Sequence, residues 1–155
     1  MRTFASTDEL AAAVGETLGP GPWERITQDR VQLFADATGD HQWIHLDAAR
    51  AATGPFGGTI AHGYLTLSLL PALAGRLYRV EGVRMGINYG LNRVRFPAPL
   101  RVGAAVRATV IIADVSPVPG GVQLVTTATV DSDDGGKPVC VAETVSRLLT
   151  GEPGR

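Results

Sequence analysis

The 155-residue chain has one cysteine, Cys140, and one lysine, Lys137. A lone thiol excludes an internal disulfide framework and fits a reducing compartment. The remaining cations are arginines scattered from Arg2 to Arg155 without a basic run, at a formal charge of −1, so nothing argues for nucleic acid as a partner. Long apolar runs are missing too. The longest, about Tyr64 to Leu77, is interrupted by Thr66, Ser68, Pro71 and Arg76, which excludes a membrane span. No N-terminal segment has the charged, apolar and small-residue order of a signal peptide, so a cytoplasmic location is expected. Repeats and low-complexity tracts are absent. The length suits one domain, expected over residues 1–150, with 151–155 as a flexible C-terminal tail.

Histidine is also scarce, and its placement is informative. All three histidines fall in two segments, Ala37-Thr38-Gly39-Asp40-His41-Gln42-Trp43-Ile44-His45-Leu46-Asp47 and Gly58-Thr59-Ile60-Ala61-His62-Gly63-Tyr64. Packing alone does not need titratable groups, whereas acid/base chemistry near neutral pH does.

Around these segments the pattern predicts a helical first half. Ser6 caps a short helix that ends at Gly15, and Trp23 to Ile26 suits a short strand. Thr27 caps a helix over Gln28 to Thr38 that Gly39 terminates, and Asp47 caps another over Ala48 to Thr53. Asp40 then lies on a loop just past a helix end. From about His62 to Leu77, Tyr64, Leu65, Leu67, Leu69, Leu70, Leu73 and Leu77 make a helix apolar nearly all round, hence buried on most sides, with Pro71 expected to kink or divide it. The second half changes period. Val83 to Phe96, Val102 to Val115, Val122 to Asp131 and Val139 to Leu149 are rich in β-branched residues and alternate in part, with Val106, Ala108, Val110 and Ile112 on one face. The layout is α+β, an antiparallel sheet wrapped around a long central apolar helix.

Ala37-Thr38-Gly39-Asp40, His45-Leu46-Asp47 and Ile60-Ala61-His62-Gly63 resemble the signature of the MaoC-like (R)-specific enoyl-CoA hydratase family, and Arg93-Val94-Arg95-Phe96-Pro97-Ala98-Pro99 with Val102-Gly103 resembles its strand after the central helix. The likeness covers most of the chain and is nearest to the single-domain NodN-like branch. It implies a hotdog fold, joined with a second copy as a homodimer. It implies a reversible addition of water to trans-2-enoyl thioesters of coenzyme A or acyl carrier protein, giving (3R)-3-hydroxyacyl thioesters, with no cofactor and no metal. Asp40 and His45 would be the catalytic pair, and the backbone N–H of Gly63 would meet the oxyanion. Two departures bear on the pocket. Gln42-Trp43 replaces an Asn-Pro that many members carry, which makes both residues candidates for its lining. Pro71 stands where some members have a serine that orients the catalytic loop, so that support is absent or comes from Ser68.

The residue types fit this chemistry independently. Hydration needs a base for water, a proton donor for the α-carbon and a stabiliser for the charge gathering on the thioester oxygen. His45 can take the proton of a water that Asp40 orients, Asp40 can help return a proton, and Gly63 at a helix N-terminus can offer an unpaired donor. His62 is expected to hold the loop by a hydrogen bond. Metal binding by Asp40, His41, His45 and His62 is the less favoured reading, since no H-E-x-x-H pattern is present. A hotdog thioesterase usually relies on a carboxylate on the central helix, and none lies between His62 and Leu77. A non-catalytic thioester-binding partner subunit would not need the intact Asp40 and His45. Arg76, Arg84, Arg93 and Arg95 are available for coenzyme A phosphates, but scattered arginines more often form a solvated surface.

Overall fold

The computed structural model describes residues 1–151. The expected tail therefore lies outside the described residues except for Gly151. In chain order the elements are β1 (Arg2–Phe4), α1 (Thr7–Ala12), β2 (Thr17–Leu18), β3 (Glu24–Arg25), α2 (Gln28–Thr38), α3 (Trp43–Leu46), α4 (Ala48–Ala52), α5 (Gly63–Ser68), α6 (Leu70–Ala74), β4 (Tyr78–Val80), β5 (Met85–Arg95), β6 (Ala105–Val118), β7 (Gly121–Ser132) and β8 (Cys140–Leu149). The caps fall where side-chain chemistry puts them. Ser6, Thr27 and Asp47 each accept a hydrogen bond from the backbone N–H three residues on, and Gly39 closes α2 in the left-handed conformation at φ 80°.

The antiparallel sheet runs β2-β6-β7-β8-β5, with β3 also paired to β6. Val106, Ala108, Val110 and Ile112 form one buried face of β6, as their alternation predicts. The same core takes in Leu65, Leu69, Leu70, Leu73 and Leu77 from the central helical segment, together with Leu124, Ala128 and Val130 of β7. Short pieces that local pattern did not reveal complete the fold. β1 pairs in parallel with β4 through only three residues each, and β2 adds a two-residue edge to β6.

The division expected from Pro71 is present, and the expected burial needs correction. The long central helix is two short ones, α5 and α6, separated at Leu69. Pro71 has no N–H for the ladder, and Leu69 and Leu73 carry the chain past it through Leu69 N–H to Leu65 O (3.1 Å) and Leu73 N–H to Leu69 O (3.0 Å). The segment is not buried all round: Tyr64 is 70% exposed and meets only the edge of the Phe96 ring, their centroids 6.2 Å apart. Met85, Ile87, Tyr89 and Leu91 of β5 are exposed as well, as is Phe96.

The sheet constrains one turn tightly. β6 and β7 meet at a two-residue hairpin over Pro119 and Gly120, and a Cβ added to Gly121 would overlap the carbonyl oxygen of Leu148 on β8. The obstacle is backbone and cannot swing aside. Gly121→Ala is therefore expected to cost more than about 3 kcal/mol, read as a large fall in melting temperature or loss of folded protein; a melting temperature matching the parent would contradict this packing.

Candidate active site

The first half of the chain builds a compact loop with one ring at its centre. Past Gly39, Asp40 lies beyond the end of α2, and its Oδ1 accepts from the Gln42 N–H at 3.4 Å. The stretch expected to be loop then contains α3, a single turn without a side-chain cap. Tertiary bonds hold it. Ile60 donates its N–H to Ile44 O at 3.0 Å and accepts from His45 Nδ1 at 2.7 Å, so one residue clamps α3 twice. Gln28, the first residue of α2, donates from Nε2 to His45 O at 2.7 Å and accepts at Oε1 from Thr59 Oγ1 at 2.8 Å. Gln28 and Thr59 were not singled out from sequence, because their partners are 17 and 31 residues away.

The Ile60 carbonyl can only accept, so His45 Nδ1 carries the proton and Nε2 keeps its lone pair. Burial lowers the pKa of His45 below its ordinary value. The Ile60 bond acts in the opposite direction, and the neighbouring His62 lowers it further. His45 is thus a neutral base held in one tautomer. Asp40, His45 and His62 each present a side-chain atom within 4.8 Å of the others. His62 is 2% exposed and stacks on His45, centroids 3.8 Å apart and planes 27° apart. Its Nε2 contacts the backbone carbonyl of Asp40 at 2.9 Å and lies 3.9 Å from Asp40 Oδ2. Such closeness also suits metal ligation: His62 Nε2 and His45 Nδ1 are each engaged with a backbone carbonyl, which leaves His45 Nε2 and His62 Nδ1 without a protein partner among the described residues, close to the Asp40 carboxylate. His41 does not join the group: it is exposed and pairs with Asp36 at 2.9 Å, a contact that raises its pKa.

Gly63 opens α5 beside this cluster, and no hydrogen bond among the described residues takes its N–H. Its missing side chain makes room for a neighbouring ring. A Cβ there would meet the Phe96 ring at 3.0 Å. Further along, Leu67, Ser68, Leu70, Pro71, Ala74 and Tyr78 face the sheet across a cavity of about 700 Å³. Its far wall includes Gly86, Asn88, Gly90 and Leu91 of β5 with Thr126, Ala128, Thr144, Ser146 and Leu148. Ser68 thus lines the cavity, while its Oγ donates to Tyr64 O at 2.7 Å and makes no bond to the Asp40 loop. Gln42 is exposed, and Trp43 packs on Gly54 under the Arg50 guanidinium, 4.2 Å from the ring centroid; neither lines that cavity. Of the surface arginines, Arg76 is paired with Glu24.

Comparison with known proteins agrees with this geometry. A family model described as "MaoC like domain" matches residues 9–135. The chain is 57% identical over 150 residues to "3-hydroxyacyl-thioester dehydratase Z" of Mycobacterium tuberculosis, covering 96% of this chain and 99% of that one. It is 41% identical over 145 residues to "Nodulation protein N" of Rhizobium leguminosarum, covering 91% and 89%. Among solved structures, the R-hydratase PhaJ1 of Pseudomonas aeruginosa superposes with a TM-score of 0.72 at 27% identity over 96% of this chain and 88% of that one. The fold is the hotdog architecture.

The state of His45 sets a pH dependence. Because its folded pKa is lowered, the unfolded chain takes up a proton at about 6.5 while the folded chain resists. Stability therefore falls as pH drops through the window just below that value and is restored above it. If Nε2 is the base, the acid limb of kcat/KM should fall below pH 6.5 as well; a limb centred above about 6.5 would mean another group titrates. At Gly63 the expected effect of alanine is steric. Gly63→Ala should lower both melting temperature and turnover in the parent, and much of each loss should vanish in a Phe96→Ala background. Equal losses in both backgrounds would remove Phe96 as the cause.

Proposed function

Because the chain belongs to the MaoC-like domain family, whose hydratases and dehydratases are hydro-lyases, we propose that it interconverts trans-2-enoyl and (3R)-3-hydroxyacyl thioesters without a cofactor, with Asp40 and His45 as its catalytic pair. The observation that carries this reading is the buried, neutral His45, whose Nδ1–H is spent on Ile60 while Nε2 stays free beside the Asp40 carboxylate.

In the hydration direction a water lies between the two groups. His45 Nε2 takes its proton as the oxygen bonds to the β-carbon, and the Ile60 carbonyl supports the positive charge that the ring gains through Nδ1–H. The electron pair moves toward the thioester oxygen, where the Gly63 N–H meets it. The proton taken by His45 then passes by way of the adjacent Asp40 carboxylate to the α-carbon, so that both groups return to their starting states. Net change is the addition of one water. Dehydration runs the same steps backwards. The acyl tail occupies the cavity beside α5 and α6, whose volume is within the roughly 300–1,000 Å³ typical of ligand pockets. Its carrier is coenzyme A or an acyl carrier protein.

The protein acts as a homodimer in this reading. β5 is the outermost strand of its sheet, eleven residues long, with Met85, Ile87, Tyr89 and Leu91 exposed. A long edge strand with exposed apolar side chains invites pairing with another strand, and a second copy supplies an identical one. A dimer is expected by sedimentation at micromolar concentration, and Ile87→Lys should shift it toward monomer; a fully active parent monomer at that concentration would overturn the assembly.

The activity is tested by following loss of enoyl absorbance on crotonyl-CoA and longer enoyl-CoAs, alongside detection of free thiol. Cys140 is buried, with its own thiol pKa pushed up to about 11, and will not add to the thiol signal of the folded protein. Absorbance loss without thiol release is expected. Asp40→Asn and His45→Gln should each lower turnover about a hundredfold or more with little change in melting temperature, since neither belongs to the apolar core. Thiol release would identify a thioesterase instead, and parental activity in either variant would dismiss the pair.

A further inference from the structure

The ring stacked on His45 has chemistry that packing does not require. His62 is 2% exposed, lies between the His45 ring at 3.8 Å and the Phe34 ring at 5.0 Å, and immediately precedes α5. A phenylalanine could fill such a slot. The imidazole instead leaves Nδ1 buried without a partner among the described residues, a state that native interiors seldom contain. Its other nitrogen accounts for the choice: Nε2 faces the Asp40 carbonyl at 2.9 Å, and a carbonyl accepts only, so Nε2 carries the proton and Nδ1 the lone pair. Orphaning a lone pair rather than an N–H leaves no donor stranded. The two stacked rings are therefore opposite tautomers, His45 protonated on Nδ1 and His62 on Nε2.

We propose that His62 is a positioning residue for the reaction, fixing the backbone of Asp40 by its Nε2–H and the plane of His45 by its face. The proposal rests on the assignment of Asp40 and His45 as the catalytic pair. One side chain then sets the separation of two groups that must share a single water, although Asp40 is on the exposed end of a loop and His45 is in a buried turn. Thr66, buried behind His62 and bonded to its carbonyl O through Oγ1 at 3.4 Å, ties the same unit to α5.

Three measurements on the full chain decide this. Imidazole nitrogen NMR of the parent should show a proton on His45 Nδ1 and a proton on His62 Nε2. A His62 ring with Nε2 unprotonated would overturn the contact without any variant. His62→Phe keeps the stack and loses the donor. Its kcat on an enoyl-CoA should fall about thirtyfold, within the hundredfold that roughly an ångström of misplacement can cost, with KM within about twofold and melting temperature near the parent's. His62→Gln can place an amide N–H where Nε2 sits and should recover kcat to within about fivefold of the parent. Parental kcat in His62→Phe would overturn the proposal, as would a His62→Gln variant no better than His62→Phe, or losses that merely track the folded fraction. If Asp40→Asn and His45→Gln are inactive while His62→Phe is fully active, only the positioning role fails; if the first two are fully active, the underlying pair fails.

Discussion

The hydrogen bond from His45 Nδ1 to the carbonyl of Ile60, 2.7 Å long and buried, is the contact on which the site depends. It decides which nitrogen is basic, keeps the ring from rotating, and joins two segments fifteen residues apart. A carbonyl partner differs from a carboxylate partner in an important way. It fixes the tautomer without holding a full negative charge beside the ring, so burial can keep His45 neutral and available as a base. The chain then reinforces this bond with others that serve no wider packing purpose: Ile60 N–H to Ile44 O and Gln28 Nε2 to His45 O. α3 has too few residues to be stable alone and survives because Ile44 and His45 within it are tied to Ile60 and to the Gln28 side chain.

The rest of the fold leaves a cavity beside the helices that follow the His45 loop, and Asp40, His45, His62 and Gly63 are not part of its lining. The apolar segment that starts at Gly63 presents one face to the sheet and leaves space between them, walled by α5 and α6 on one side and by β5, β7 and β8 on the other. Pro71 divides the segment without turning it away from the core, since Leu70, Leu73 and Leu77 on either side remain buried. The wall nearest the sheet edge is formed by glycines and a short amide, Gly86, Gly90 and Asn88, where bulky residues would fill the cavity. Leu91 of β5, the outermost strand of the sheet, lines the same space.

Much of this was legible in the sequence, and the reasons differ by element. Thr27, Gly39 and Asp47 announce helix ends because capping is a local interaction between a side chain and backbone a few residues away. The alternation of Val106, Ala108, Val110 and Ile112 announces a half-buried strand for the same reason of locality. The concentration of every histidine in two short segments marked the site, and the structure brings His45 and His62 together but leaves His41 outside with Asp36. Hidden from sequence were the features set by distant partners: the α3 turn, the parallel β1–β4 pair, the bridging amide of Gln28 and the contact of Phe96 with Gly63. Tyr64 shows the limit of hydropathy. An apolar pattern reports that a face avoids water, and cannot tell whether the cover is the chain's own sheet or another molecule.

In the proposed reaction, His45 and Asp40 move protons between one water and the α-carbon of an enoyl thioester. Turnover of an enoyl-CoA in heavy water, with the product resolved by NMR and by the chirality of its alcohol, tests it most directly. The account predicts a (3R)-3-hydroxyacyl thioester carrying one solvent deuteron at the α-carbon, with the thioester intact. Release of free coenzyme A with the double bond unchanged, or a (3S) alcohol, would contradict it.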